Sequence, residues 1–338
     1  PTVSAAYSSS RYTSMRPSDS MALNRQTLVP SGRQRGLGMI ELLIAITLGL
    51  LITAAVGTIF LSGSKSYNEN ERFARMQENG RYALKLLADE LAMAGYWGKL
   101  FKLGNISSLG LALSPACGLD MDPAAPLVIA NNASVADAAA YCIDGAETFR
   151  ATTDILAIKR VRGEPVTTPV ANRLYLRATS ANGMFIQYSA APITGETDWE
   201  YVPRIYYIRN VQDPDNAANQ IPTLAMKYLD GLSMDNREDL VEGIEDIQIE
   251  FGINTGTGTD IGITPSYYTS NPNSAQLTNA VTARIYVLVR SREPETTALN
   301  RTYKLGIKPV TPNDFYRRRV FVTTVSLRNP AYQNLMNY

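Results

Sequence analysis

The sequence predicts an α+β protein in which a long N-terminal helix precedes a large head rich in antiparallel β-strands. Residues 37–97 contain no proline and keep apolar side chains at helical spacing. Residues 98–338 contain short segments of alternating apolar and polar side chains, separated by Gly, Pro, Asn and Asp, which is typical of strands with one solvated face. The predicted strands are residues 154–161, 173–177, 184–188, 204–209, 223–229, 244–253, 282–291 and 319–327.

The first half of the predicted helix, residues 37–61, is long enough to cross a membrane. Its only charged side chain is Glu41. At about 1.5 Å per residue the segment spans roughly 37 Å, against about 30 Å of hydrocarbon in a bilayer. A lone acid in that hydrocarbon costs on the order of 3 kcal/mol, so Glu41 requires a partner. The alternative is an ordinary signal anchor that tolerates one acid near the interface.

The second half of the helix, residues 62–97, is polar but carries an apolar stripe. Apolar or small residues recur at steps of three or four, so they share one helical face. We expect this face to pack on a sheet of the head. The stripe consists of Phe73, Met76, Gly80, Leu84, Leu87, Leu91 and Ala94.

Residues 1–36 are interpreted as a leader that takes no part in the fold. They contain five arginines and one aspartate, a net charge of +4. A positive flank stays in the cytoplasm and directs the rest of the chain across the membrane. Met21 is a candidate start for a leader of residues 21–36, with Met15 as the weaker alternative, so residues 1–20 are interpreted as an untranslated extension. Removing +4 from the overall +1 leaves the mature chain near −3, which makes nucleic acid an unlikely partner.

The residues GLGMIE, from Gly36 to Glu41, resemble the processing site of type IV prepilins and type II secretion pseudopilins. That site has a basic leader ending in Gly, then an apolar residue, and Glu at the fifth mature position. Leu37 stands where Phe or Met is usual, and Gly38-Met39 replace the commoner Thr-Leu. The resemblance implies cleavage between Gly36 and Leu37 by the prepilin peptidase, which also methylates the new amine. It further implies that Glu41 acts in assembly, by pairing with the N-terminal amine of a neighbouring subunit.

Four later segments, residues 77–98, 240–254, 281–291 and 316–329, are similar to the PilW branch of minor pilins. This resemblance implies a minor pilin that helps prime type IV pilus assembly and sits in the tip complex. Its partners would be other minor pilins, a tip adhesin and the major pilin. The chain would start in the inner membrane, with its head in the periplasm, and reach the cell surface in the pilus. A J-type minor pseudopilin and a pilus-tip subunit that binds a ligand or DNA are the alternatives.

Two cysteines, Cys117 and Cys142, predict a structural disulfide in an exported protein. A bridge closing this loop would stabilise the fold by roughly 3.5 kcal/mol in the chain-entropy model. The alternative is a pair of free thiols.

The sequence contains no catalytic pattern. Histidine is absent, which excludes a His-based triad and a His metal site. The GTGTDIG run at residues 256–262 departs from the dinucleotide fingerprint and opens no predicted helix. We therefore predict no enzyme activity and no cofactor. The loop acids Asp120/Asp122 and Asp213/Asp215 are candidate Ca²⁺ ligands, but neither pair has the spacing of a calcium loop, so solvated turn acids are the preferred interpretation.

Arginines flank the last predicted strand, at Arg317, Arg318, Arg319 and Arg328. The preferred interpretation is that they form ion pairs within the head or lie solvated at the strand ends. The alternative is a docking surface for another subunit.

Overall fold

The computed structural model describes residues 36, 38–100, 103, 106–108, 110–187, 195–256 and 264–330. It confirms the α+β class, because one long helix, α1 (Met39–Met93), precedes a head built of mainly antiparallel strands. The chain divides into two compact units, Pro1–Ser62 and Gly63–Tyr338. α1 ends four residues before the predicted limit at Trp97, because Gly95 adopts φ +69°, a left-handed conformation that terminates helices.

The described part of the head consists of β-strands, two short α-helices and a 3-10 helix at Gly145–Glu147. The elements after α1 are β1 (Ile106–Ser107), β2 (Leu127–Ala133), α2 (Val135–Ala140), β3 (Thr153–Ile158), β4 (Leu174–Ala178), β5 (Gly183–Gln187), β6 (Thr197–Glu200), β7 (Arg204–Gln212), β8 (Gln220–Asp230), β9 (Ser233–Glu242), β10 (Ile244–Ile253), β11 (Tyr267–Thr269), α3 (Ser274–Thr278), β12 (Ala280–Arg290), β13 (Tyr303–Leu305), β14 (Lys308–Val310) and β15 (Arg318–Ser326).

All eight predicted strands are present, as β3, β4, β5, β7, β8, β10, β12 and β15. Of the predicted strand 184–188, residue 188 lies outside the described residues. The sequence did not predict β2, β6 and β9, nor the shorter strands. β9, with the sequence SMDNREDLVE, carries charged side chains along most of its length, which hides the alternation on which strand prediction depends.

Three sheets form the head. The central sheet has the order β2-β3-β7-β8-β9, the C-terminal sheet β11-β10-β12-β15, and the small sheet β1-β5-β4-β6. Neighbouring strands are antiparallel except for β1 and β5. β13 and β14 pair with each other in a separate hairpin.

Two hydrophobic cores lie on opposite faces of the central sheet. In β3, Leu156 and Ile158 belong to the core shared with α1 and the C-terminal sheet. The intervening residues Ile155 and Ala157 belong to the second core, beneath the small sheet. Because successive side chains of a strand point to opposite faces, β3 is buried along its whole length.

The predicted stripe of α1 packs into the first core from Met76 onward, whereas Phe73, its first member, is exposed. Leu84, Leu87 and Leu91 are buried there beside β10 and β12. At Gly80 the helix approaches β15 so closely that a Cβ atom would lie 2.5 Å from the ring of Phe321. Glycine is therefore required at this position by packing rather than by backbone conformation.

A buried carboxylate joins two sheets. Asp154 in β3 is fully buried, and its two oxygens accept hydrogen bonds from the backbone N–H of Asn132 (2.8 Å) and of Ile249 in β10 (2.8 Å). Burial raises the pKa of Asp154 to about 7, although the two backbone donors act against that rise.

We expect Gly80→Leu to lower the stability of the head, because the added side chain must displace Phe321. Overpacking of this kind costs about 1–3 kcal/mol. The measurement is thermal unfolding of the purified full chain in detergent micelles. Gly63→Leu is the matched control, because it makes the same change in α1 where a Cβ meets nothing within 4 Å. Equal melting temperatures for the two variants would contradict the close packing.

The stability of the chain should also depend on the protonation of Asp154. The pKa of Asp154 in the folded protein, about 7, lies above its ordinary value of 3.8. Its contribution to the free energy of unfolding is therefore fully present below pH 3.8 and is lost as the pH rises through about 7. The difference between wild type and Asp154→Asn should fall by up to about 4 kcal/mol over that interval. Urea unfolding of both proteins across this pH range tests it, and a constant difference would contradict it.

Candidate functional site

The predicted processing site lies at the start of α1. Gly36 and Gly38 precede the helix, and Leu37 lies outside the described residues. The N–H of Leu42 donates to the carbonyl of Gly38 at 3.0 Å. A Cβ atom on Gly36 would meet nothing within 4 Å. Packing against the described part of the chain therefore gives no reason for a glycine at position 36.

Glu41 differs from the other polar side chains of the apolar segment. The hydroxyl groups of Thr47, Thr53 and Thr58 each donate to a backbone carbonyl three or four residues earlier, at 2.8–2.9 Å. Their hydrogen-bonding needs are thus met inside the helix, as a lipid environment requires. Glu41 lies in the first turn, is exposed, and has no hydrogen bond or ion pair to any residue that the structure describes.

The apolar side chains around Glu41 are exposed as well. Leu42, Leu43 and Ile44 are 51%, 58% and 53% exposed, and none of the most apolar 18-residue window of α1 is buried. An apolar surface of this length indicates a membrane or an interaction with other proteins. By length and composition α1 is the one candidate membrane span among the described residues.

Cys117 and Cys142 form a disulfide, with their Cα atoms 4.9 Å apart. Asp235 lies beside the two sulfur atoms, and these three residues are the one grouping with metal-ligand geometry in the described ranges. Because both sulfurs are engaged in the disulfide, neither is available as a thiolate ligand.

Three of the four candidate calcium ligands, Asp120, Asp213 and Asp215, have protein cations as partners, and the Asp122 side chain accepts a hydrogen bond from the N–H of Ala124. Asp120 forms an ion pair with the buried Lys159. Arg292 donates to Asp213 at 2.7 Å and to Asp215 at 2.5 Å. The hydrogen bond from Arg292 lowers the pKa of Asp213 to about 2, so this carboxylate is ionised and paired at neutral pH. Of the glycine-rich run 256–262, only Gly256 is described.

The arginines at the start of β15 have different roles. Arg318 is buried and binds Glu245 (3.0 Å) and Asp314 (2.6 Å). Arg317 lies 3.2 Å from Glu295 and is partly exposed. These two arginines form ion pairs within the head, which was the preferred interpretation.

Arg319 and Arg328 have no carboxylate partner among the residues that the structure describes. The guanidinium of Arg319 lies over the rings of Phe73 in α1 and Phe321, at 5.4 and 5.3 Å from their centres. Arg328 is exposed. Of the four arginines that flank β15, these two are therefore the ones that could bind another molecule.

The sequence analysis missed a buried acid that fixes α1 to the central sheet. Glu90 is 8% exposed and receives two hydrogen bonds from Arg160, at 2.8 and 3.1 Å, and another from Arg204. The sequence did contain a sign of this ion pair. Glu90 follows Leu87 by three residues, so it lies on the same helical face as the apolar stripe.

Residues 205–329 match the family model of the type IV pilus-assembly protein W, PilW. Those residues belong to the PilW family. The PilW match begins in β7 and ends just after β15, so it includes the C-terminal sheet and three strands of the central sheet. Three of the four segments that carried the resemblance, residues 240–254, 281–291 and 316–329, lie within it. No curated protein and no solved structure matches the chain.

The PilW family is a type IV pilus-assembly family and is not a known enzyme family. The match therefore connects this chain to pilus assembly. The apolar helix α1 is consistent with a membrane anchor.

Proposed function

We propose that the chain is a minor pilin that helps prime type IV pilus assembly and sits in the tip complex. In this proposal the prepilin peptidase cuts between Gly36 and Leu37 and methylates the new amine. The PilW match over residues 205–329 supports the assembly role. The processing step is supported by the order of residues from Gly36 to Glu41.

The observation that carries the proposal is the unpartnered carboxylate of Glu41. It lies in an exposed apolar helix in which each threonine is internally hydrogen-bonded. A carboxylate in hydrocarbon is unfavourable unless a cation accompanies it. Cleavage would create such a cation, the α-ammonium of Leu37, on every processed subunit. We infer that Glu41 pairs with this ammonium on a neighbouring subunit and so fixes the axial register of the two helices.

The proposed partners follow from the same interaction. The major pilin and other minor pilins would each supply the N-terminal ammonium and an apolar helix. A tip adhesin would complete the complex. The large head favours a tip position, because a head of this size is difficult to repeat along a thin fibre. The subunit would wait in the inner membrane, with its head in the periplasm, until it joins the pilus.

Processing should depend on the size of the residue at position 36. We expect Gly36→Leu to abolish cleavage and Gly36→Ala to reduce it, because a side chain at the cut site shields the peptide bond from the peptidase. The measurement is an immunoblot that separates precursor from mature chain. Gly49→Leu is the control, since it makes the same change in α1 where a Cβ meets nothing within 4 Å. Mature chain in normal amounts from Gly36→Leu would refute the proposed cut.

Glu41→Gln should leave cleavage intact and reduce surface pili. The substitution keeps the shape of the side chain but removes its charge, leaving the neighbour's ammonium buried without a partner, at a cost of about 3–5 kcal/mol. Pili sheared from cells and counted by electron microscopy give the readout, in a strain without redundant minor pilins. Glu78→Gln, an exposed acid later in α1, serves as control. Normal piliation with Glu41→Gln would show that the carboxylate does not set the register.

A further inference from the structure

One edge of the C-terminal sheet is open. β15 is the last strand of that sheet and pairs with β12 in an unshifted register from Arg318 to Ser326. The carbonyl of Arg317 and the N–H of Leu327 both bond to the β12 side, at Ser291 and Val281. Since hydrogen-bonding direction alternates along an antiparallel strand, odd-numbered residues face β12.

The even-numbered residues of β15 therefore direct their N–H and C=O groups away from the sheet. Val322 is 50% exposed, and Thr324 and Ser326 are exposed. β13 lies near β15 but pairs with β14 in its own hairpin, and no backbone hydrogen bond from the described residues reaches this outer side. Unpaired donors and acceptors in a row form a template for another strand.

The other long edges of the described sheets are protected against such pairing. β9, an edge of the central sheet, has two register shifts, and β2, the opposite edge, has one. Irregular pairing and charged side chains are the usual means by which edge strands avoid association. β9 has both, with the charged residues Asp235, Arg237, Glu238, Asp239 and Glu242. β15 is long, regular and rich in valine and threonine, and it contains neither proline nor glycine.

A basic groove begins at the first residues of β15. It has a volume of about 690 Å³ and lies between α1, β15 and the segment 298–303. Its apolar walls include Phe73, Met76 and Leu299. Its lining contains four arginines, Arg301, Arg317, Arg318 and Arg319, and no acidic residue.

Two of these arginines lack a counter-charge. Arg317 and Arg318 are paired with carboxylates of the head. Arg301 and Arg319 are exposed, and no carboxylate in the described part of the chain pairs with either one. The aromatic rings beneath the Arg319 guanidinium hold that planar group in place, with its N–H donors free for a bidentate bond to a carboxylate.

We propose that the outer edge of β15 binds an extended, carboxylate-bearing segment of another pilus subunit. The segment adds a strand to the C-terminal sheet by pairing with Val320, Val322 and Thr324. Its acidic side chains bind Arg301 and Arg319. Backbone pairing supplies affinity and the arginines supply selectivity. The identity of the partner as a pilus subunit rests on the proposed function.

The direct test uses wild-type full chain in detergent micelles and a fluorescein-labelled ten-residue peptide in which valine and glutamate alternate. Fluorescence polarisation compares it with two controls, a peptide with lysine for glutamate and the glutamate peptide with alternate backbone amides methylated. We expect both controls to bind at least tenfold more weakly. Equal binding of the lysine peptide would overturn the charge selectivity, and equal binding of the methylated peptide would overturn strand addition.

Variants of the chain locate the site. Val322→Pro removes one outward N–H while leaving the bonds to β12, and it should weaken binding at least tenfold; Val322→Ala, which keeps the N–H, should not. The double variant Arg301→Glu and Arg319→Glu should lose affinity for the glutamate peptide and gain it for the lysine peptide. Arg328→Glu, at an exposed arginine beyond β15, is the matched control. Unchanged binding in the double variant would remove the proposed site from β15.

Failure of this proposal can be separated from failure of the proposed function. In cells, Val322→Pro should be processed normally but should reduce surface pili, whereas Val322→Ala should not. If Val322→Pro is processed and piliated like wild type, the β15 edge is not used in assembly, while the pilin assignment is unaffected. If wild-type chain is not processed at Gly36, the pilin assignment fails whatever the peptide measurements show.

Discussion

The packing of α1 on the C-terminal sheet is the contact on which the rest of the head depends. Gly80 lets Phe321 lie against the helix backbone, and the helical residues that follow, Leu84, Leu87 and Leu91, enter the core with β10 and β12. Glu90 then binds Arg204 of β7 and so fixes the helix to the central sheet. The second half of α1 is therefore a component of the head's core rather than an appendage to it.

Two deeply buried cations of the head are each paired with carboxylates, in contrast to Glu41 in α1. Lys227 is fully buried and contacts Glu147 and Asp235, and Arg318 is held by Glu245 and Asp314. Burial without such partners would cost several kcal/mol for each ion. Glu41 has no partner in the described chain, although its apolar surroundings suit a membrane. In the proposed assembly, the N-terminal ammonium of another subunit supplies the cation that Glu41 lacks.

The helix, its buried stripe and eight of the strands could be predicted because periodicity is a local property of sequence. Strand β6, with the sequence TDWE, could not be predicted, because its two acids are buried only when they pair with residues of other segments. Asp198, for example, pairs with Arg177 at 2.8 Å. The close packing of Gly80 against Phe321 could not be predicted either, since Phe321 is 241 positions later in the chain. Adjacent arginines also look alike in sequence, yet Arg318 is buried in an ion pair and Arg319 stacks on aromatic rings. Only the fold decides which face of β15 each one occupies.

The candidate processing and assembly residues stay a prediction, and they rest on sequence order rather than on the fold. A glycine, an apolar start and a glutamate at fixed spacing are local features, so Gly36, Leu37 and Glu41 can be selected from the sequence alone. The open edge of β15 cannot, because an edge is defined by the strand that is missing beside it. Intact-mass analysis of the chain from membranes, with and without the prepilin peptidase, tests the central claim most directly. The account predicts a chain that begins at Leu37 and carries one added methyl group only when the peptidase is present. An uncleaved chain in both strains would contradict it.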